Sequence, residues 1–172
     1  MEHLRYPIGK HSAVKEHTAD IIAKNLNDIR IFPDNLKELV SELTESDLSK
    51  TYREGSWNVK QIIHHIGESH MNAYIRVKLA LTEENPTVKP YNENLWVHTP
   101  ENDLVDIGVS VILVENIHIK LVSLLETLNA SDLARTYHNP QYDRTSSLAD
   151  LIALYSWHGR HHLAHIRLAI EK

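Results

Sequence analysis

Apolar residues recur at steps of three and four over several long stretches of this 172-residue chain. This spacing places side chains on one face of an α-helix. The last such stretch is predicted as a helix over Ser147–Lys172, with Leu148, Leu151 and Tyr155 on its apolar face. Asp150 follows Ser147 by three residues, which is a capping pattern at a helix start.

Three further stretches show the same helical period. The first begins near Lys15 and meets Pro33, so it forms either two helical pieces or one kinked helix. The second begins at Asn58, with Gln61 positioned for a capping box, and ends before Pro86. The third covers residues 104–128, and its inward face is predicted to carry Leu104, Ile107, Val111, Val114, Ile117, Leu121, Leu124 and Leu128.

Two polar connections separate these helices, one over Pro86–Glu101 and one over Ser131–Thr145. Four amphipathic helices joined in this way predict an all-α fold, a four-helix bundle with long crossover connections. No stretch requires a β-strand. The length favours one domain spanning residues 1–172.

Composition and charge narrow the classes of partner. The net charge is −5 and the charged residues are interspersed, which gives no basic stripe for phosphates, so no nucleic acid is expected. No continuous apolar run reaches 18 residues and the first residues do not resemble a signal peptide, so we expect a soluble, cytoplasmic protein that does not associate with membranes. The absence of cysteine excludes thiolate metal ligands and a cysteine nucleophile.

Histidine is the unusual residue, with 13 in the chain. His158 and His162 lie one turn apart and continue the apolar stripe of the last helix, and His161 and His165 form a second pair with the same spacing. The spacing leaves both pairs open as metal ligands, and we favour the first pair because it faces inward. A third ligand is expected from the other cluster, either His64 or His65.

Three neutral imidazoles around a divalent ion leave coordination positions open, which is typical of catalytic metal sites. Such an ion lowers the pKa of a bound water or stabilises a bound thiolate. The alternative is that these histidines are hydrogen-bonded core residues without a metal.

Other polar and aromatic residues are interpreted more simply. His70 and His118 are expected to be ordinary packed or surface residues. Trp57, Trp96 and Trp157 are expected to be packing anchors, although Trp157 adjoins the histidine cluster and could line a pocket. Charged side chains that could bind an anionic substrate, or could simply be solvated, are Arg76, Asp143 and Arg160.

Several segments resemble one known family, and together they cover most of the chain. These segments are Tyr6–Gly9, Tyr52–Ile66, Ser69–Asn72, Tyr74–Arg76, Leu81–Pro86, Lys89–Tyr91, Tyr155–His158, His161–His162 and Ala164–Ile166. They resemble the DinB/YfiT-like metal-dependent family, and within it the YfiT branch. Members of that branch are described as metal-dependent hydrolases and linked to bacillithiol transfer.

The resemblance implies which histidines bind the metal. The family's first ligand lies eight residues after a tryptophan, which here is His65 after Trp57. The other two ligands are the first and last histidines of a His-x-x-His-His segment, here His158 and His162. The resemblance further implies an up-down-down-up bundle, one zinc or nickel ion per chain and a homodimer.

One departure concerns the residues after the last ligand. The wider family has Gly-Gln there, whereas this chain has Ala164 and His165, which is typical of the YfiT branch.

The expected function is therefore activation of a low-molecular-weight thiol, of the bacillithiol kind, for transfer to an electrophile. Hydrolysis of a small amide or ester is the alternative within enzymes, with Glu68 as the nearest carboxylate to His65 in the sequence. A non-catalytic metal-binding module is the other alternative, and it requires His161 or His165 to fill the fourth position. The sequence assigns no catalytic acid or base.

Overall fold

Four long helices dominate the computed structural model, which describes residues 2–171. In chain order the described elements are α1 (Glu2–Arg5), α2 (Ala19–Ser41), α3 (Glu45–Leu48), α4 (Val59–Thr82), α5 (Glu93–Trp96), α6 (Glu101–Leu104), α7 (Ile107–Leu125), α8 (Ala130–Leu133), β1 (Thr136–Asn139), β2 (Arg144–Ser147) and α9 (Leu148–Ile170). The long helices are α2, α4, α7 and α9. The predicted four-helix bundle with long connections is confirmed.

The packing order of the bundle differs from the order of the chain. Helix α2 packs against α7 and α9, and helix α4 also packs against α7 and α9. Consecutive long helices α2 and α4 therefore lie at opposite corners. This arrangement places α4 beside α9, which is the pair of helices that carries the two histidine clusters.

Both predicted capping boxes are present. The Asn58 Oδ1 atom accepts from the Gln61 amide at 2.8 Å, and Gln61 Oε1 accepts from the Asn58 amide at 3.0 Å. At the start of α9 the Ser147 hydroxyl accepts from the Asp150 amide at 3.0 Å, and the Asp150 carboxylate accepts from the Ser147 amide at 2.9 Å. These caps satisfy amide groups that the first helical turn leaves free, and they fix where each helix begins.

Helix α2 is continuous through Pro33. The structure therefore supports the single helix among the two sequence-based alternatives. Proline has no amide hydrogen, so the carbonyl four residues earlier, at Ile29, lacks its helical donor. That carbonyl instead accepts a hydrogen bond from His118 Nδ1 of helix α7 at 2.8 Å.

The expectation that the chain has no strand is wrong. Strands β1 and β2 pair antiparallel within the connection predicted as polar and irregular. The buried Tyr137 side chain joins the core, while Asp143 in the connecting turn adopts a left-handed backbone conformation with φ of 44°. Four-residue strands are too short for an alternating pattern to stand out from loop sequence.

The predicted inward face of α7 is also partly wrong. Its buried positions include Val111, Val114, His118 and Leu121, so a histidine occupies the stripe that was assigned to Ile117. Leu104 lies in α6 and is 82% exposed, because the chain turns before α7 begins.

Among the described residues, one helix, α7, is long and apolar enough to cross a membrane by length and composition alone. In the bundle one face of α7 packs against α2 and α4, and 39% of its 18-residue apolar window is buried.

Helices α2 and α9 approach closely at Gly159. A Cβ atom added there would lie 2.7 Å from Cδ2 of Phe32, whose ring is buried. The same ring stacks on His70 with centroids 5.0 Å apart. The absence of a side chain at residue 159 therefore allows Phe32 to pack beside the histidines of the core.

Replacing Gly159 with alanine is expected to destabilise the protein. The added methyl group collides with a buried ring, and overpacking of this kind costs about 1–3 kcal/mol. The free energy of unfolding should be measured by urea denaturation. Gly67→Ala is the matched control, because its Cβ meets the tip of Leu113 at 3.3 Å and that side chain is 38% exposed. Equal unfolding free energies for both variants would contradict the close-packing argument.

Candidate metal centre

Three histidine side chains from two helices converge at one point. His65 comes from α4, and His158 and His162 come from α9, with one ring nitrogen of each within 4.8 Å of the others. The Nε2 atoms of His65 and His158 are 3.4 Å apart. The structure thus brings together the three residues that were predicted as ligands.

The competing histidines lie outside this group. His64 Nδ1 is 2.8 Å from the Ser110 hydroxyl, in contact with helix α7. His165 Nε2 donates to the Arg5 carbonyl at 3.2 Å, and His161 stacks on Trp157 with ring centroids 4.2 Å apart. Neither His161 nor His165 belongs to the three-histidine group.

Burial keeps the three converging rings neutral at pH 7. It lowers the pKa of His65 to about 4. It also holds the pKa of His158 and of His162 well below the ordinary value of 6.5, and the neighbouring imidazoles act in the same direction. Neutral imidazoles whose ring nitrogens converge are suited to a shared divalent cation.

A cavity of about 690 Å³ opens onto these nitrogens. Its wall includes Trp57, which lies 4.6 Å from the His65 ring between centroids. Trp157 also lines it, as the sequence suggested. The cavity is therefore large enough for a small organic substrate beside the histidines.

Cationic side chains predominate over carboxylates along the cavity wall. The arginines that line it are Arg5, Arg53, Arg76 and Arg144, and the acidic residues are Glu93 and Asp150. Asp150 is already engaged by Ser147 and by His17, whose Nε2 lies 2.9 Å from its carboxylate. The cavity thus favours an anionic ligand.

Of the three charged residues considered from the sequence, only Arg76 lines this cavity. Arg160 contacts the Asp28 carboxylate at 3.4 Å, and the Asp143 side chain is fully exposed. Glu68 is also outside the cavity lining, and its Oε1 accepts from the Asn102 side chain at 3.2 Å. Glu68 is therefore not placed to act as a base at the centre.

Sequence reasoning missed the roles of His70 and His118. His70 Nε2 lies 3.2 Å from His158 Nδ1, and His70 Nδ1 lies 2.6 Å from His118 Nε2. The signal was present in the spacing. His70 falls four residues after the buried Ile66 and three before the buried Ala73, and His118 falls between the buried Val114 and Leu121. Both are buried. His70 contacts the candidate ligand His158, and His118 contacts His70 behind it.

A helical bundle with a three-histidine cluster at the base of an arginine-lined cavity defines a class of candidate metalloprotein. Comparison with known proteins identifies the family. The model of the DinB superfamily matches residues 29–166, and the chain belongs to that family.

A protein of Bacillus mycoides (strain KBAB4), named "putative metal-dependent hydrolase", is 44% identical over 172 residues and aligns over 100% of this chain and 98% of its own. The structure of YfiT from Bacillus subtilis, described as a probable metal-dependent hydrolase with an unusual four-helix bundle topology, has a TM-score of 0.94. It is 35% identical and covers 98% of this chain and 97% of its own.

A more distant structure is that of a mycothiol-dependent maleylpyruvate isomerase. It has a TM-score of 0.67 and 16% identity, and the match covers 84% of this chain and 60% of that one. This likeness extends to the fold alone.

Acidification is expected to destabilise the metal-free protein. Burial lowers the pKa of His65 and of His118 from 6.5 to about 4. The unfolded chain therefore binds more protons than the folded chain between these pH values. Above about pH 6.5 protonation of these rings does not reduce the free energy of unfolding. As the pH drops from 6.5 toward 4, the free energy of unfolding falls by at most about 1.4 kcal/mol per pH unit for each ring.

Urea denaturation at pH 7, 6 and 5 measures this effect. His118→Phe should reduce the pH dependence, whereas replacement of the exposed His3 by glutamine should leave it unchanged. A free energy of unfolding that stays constant from pH 7 to pH 5 would contradict the lowered pKa values of the buried rings.

Proposed function

We propose that His65, His158 and His162 bind one divalent metal ion, zinc or nickel, and that the protein uses it to transfer a small thiol to an electrophile. The observation that carries this proposal is the convergence of three neutral imidazoles at the base of an open cavity. Curated relatives named as metal-dependent enzymes support the metal.

A catalytic role is favoured over a storage or sensing role. The group of potential ligands found among residues 2–171 contains three histidines and no fourth side chain. His165 is engaged with Arg5, and His161 stacks against Trp157. Three protein ligands beside a cavity leave a coordination position for a reactant.

A bound divalent cation would supply Lewis acidity that lowers the pKa of a thiol or water molecule in the cavity. The chain has no cysteine, so a sulfur nucleophile must enter as a substrate. Arg76 and Arg144 lie on the cavity wall, where they would bind and orient carboxylates of an anionic thiol. In the transfer, the thiol releases its proton to solvent, sulfur bonds to the electrophilic carbon, and the leaving group departs with the bonding electron pair.

Hydrolysis of a small amide or ester is the second candidate, because the curated relatives are named as hydrolases. This reaction generally uses a carboxylate base beside the activated water. Glu68 is directed to Asn102 and Asp150 is held by the cap of α9, so neither is free at the centre. Glu93 lines the cavity but lies outside the three-histidine group. The thiol reaction needs no such base, which is why we favour it.

The remaining parts of the proposal follow from the resemblance. The thiol is proposed to be of the bacillithiol kind, and a distant relative in fold is named as a mycothiol-dependent isomerase. The protein is proposed to act in the cytoplasm as a homodimer, without nucleic acid or membrane partners.

Purified protein reconstituted with Zn²⁺ or Ni²⁺ is expected to retain one ion per chain. His65→Ala, His158→Ala and His162→Ala should each lose stoichiometric metal, because each removes one of three ligands. His64→Ala is the matched control, since this neighbouring buried histidine contacts Ser110 instead. Elemental analysis after dialysis measures the metal, and a wild-type chain without it would rule out both enzymatic candidates.

A carboxylate-bearing thiol and a chlorinated electrophile should react in the presence of the metal-loaded protein, and a chelator should abolish the reaction. Arg76→Met is expected to raise KM for this thiol about 10-fold, the effect of losing one charge-assisted hydrogen bond. Arg160→Met is the control, because Arg160 pairs with Asp28 outside the cavity lining. Turnover of an ester without added thiol would favour hydrolysis instead.

A further inference from the structure

The candidate ligand His158, which is half-buried, begins a line of imidazoles that ends on the backbone. Its Nδ1 atom lies 3.2 Å from His70 Nε2, and His70 Nδ1 lies 2.6 Å from His118 Nε2. His118 Nδ1 lies 2.8 Å from the Ile29 carbonyl oxygen. Every link therefore joins a ring nitrogen to a defined partner.

The rings of this line are neutral. His70 and His118 are buried and pack on the Phe32 ring, where an uncompensated charge would be costly. A neutral imidazole has one nitrogen that donates and one that accepts. The protonation of each ring is therefore decided by what its neighbours require.

The backbone carbonyl at the end of the line determines which nitrogen of each ring donates and which accepts. A carbonyl oxygen only accepts, so His118 Nδ1 carries the hydrogen and His118 Nε2 accepts from His70 Nδ1. His70 Nε2 is then an acceptor, and it takes its hydrogen bond from His158 Nδ1. The remaining nitrogen of His158, Nε2, is left with a free lone pair at the three-histidine cluster.

The opposite arrangement is unfavourable. If His158 Nε2 carried the hydrogen, for example toward the Ser69 hydroxyl at 3.4 Å, each ring in the line would have to reverse. His118 Nδ1 would then face the Ile29 oxygen at 2.8 Å as a second acceptor. Two acceptors at that separation repel each other, and both would be buried without a donor.

Pro33 explains why the Ile29 carbonyl is available. In an uninterrupted helix this oxygen would accept from the amide of residue 33, which proline lacks. The helix nevertheless continues through Pro33, so the oxygen stays in place and faces α7.

A second line of hydrogen-bonded imidazoles begins at His162, the other candidate ligand of α9. His162 Nδ1 lies 3.4 Å from His165 Nδ1, and His165 Nε2 lies 3.2 Å from the Arg5 carbonyl. Arg5 is the last residue of α1, where a carbonyl has no helical donor. By the same reasoning His165 donates from Nε2 and accepts at Nδ1, and His162 donates from Nδ1 and keeps a free lone pair on Nε2.

We propose that His70, His118 and His165 are positioning residues that fix the tautomers of His158 and His162, so that Nε2 of each faces the metal. This inference rests on the metal site of the proposed function, but its first test does not require a metal. Hydrogen-bonded partners of this kind orient ligand rings and raise their basicity.

Nitrogen-15 NMR of the metal-free wild-type protein at pH 7.5 tests the assignment directly. Long-range hydrogen–nitrogen spectra distinguish which ring nitrogen carries the hydrogen. His158, His162, His70 and His118 are expected as Nδ1–H tautomers, and His165 is expected as the Nε2–H tautomer. An Nε2–H tautomer, or an average of two tautomers, at His158 or His162 would overturn the proposal.

The affinity for Zn²⁺ tests whether the fixed tautomers strengthen metal binding. His118→Phe keeps an aromatic ring beside Phe32 but removes the acceptor for His70, and it is expected to weaken Zn²⁺ binding about 10- to 100-fold. His118→Gln restores an acceptor and should recover most of that loss. His64→Phe is the matched control, because it changes a buried histidine outside both lines.

The outcomes separate this inference from the proposed function. Wild-type protein that binds no divalent ion contradicts the metal site, while the NMR spectrum still decides the tautomers. Tight Zn²⁺ binding that is equal in wild type and His118→Phe contradicts the positioning role and leaves the metal site intact. If His118→Phe does not fold, His165→Phe against His165→Gln makes the same comparison on the second line.

Discussion

Burial of imidazole rings inside a helical bundle is the constraint on which the site depends. Each neutral ring brings one donor and one acceptor into a region where an unmatched polar group is costly. Here rings bond to rings, and both lines end on backbone carbonyls, one at Ile29 and the other at Arg5. The same hydrogen bonds that make the histidines tolerable in the core also direct lone pairs toward one point.

The register of two helices delivers the ligands to that point. The capping box at Asn58 starts α4 seven residues before His65, and the box at Ser147 starts α9 eleven residues before His158. Packing of α4 against α9 then brings the clusters together across the bundle. Because Gly159 follows His158 directly, α2 can approach with Phe32, whose ring packs on His70 and His118. The three candidate ligands are thus positioned by capping and close packing of helices.

Sequence reasoning predicted the features that depend on local period and local chemistry. The four helices, both capping boxes and the identity of His65, His158 and His162 as a group followed from spacing and from family resemblance, and the structure brings these residues together. The hairpin was missed because its strands have four residues each, and Leu104 was placed in a helix that begins later. The ambiguity between the two histidine pairs of α9 could not be resolved by spacing, because both pairs repeat at one helical turn. In the structure the neighbouring helix places His65 beside His158 and His162, whereas His165 of the other pair contacts the last carbonyl of α1.

Pro33 and His118 show why some functional features cannot be found one residue at a time. Considered alone, a proline within a helical pattern indicates an interruption, and a single histidine in an apolar helix indicates packing. In the structure the proline frees a carbonyl of α2, and the histidine of α7 donates to that carbonyl. Each residue would be unfavourable without the other, since a free carbonyl and an unmatched ring nitrogen are both costly in a core. Their pairing joins the backbone of one helix to a candidate metal ligand of another, so the apparent defects of α2 and α7 are parts of the same site.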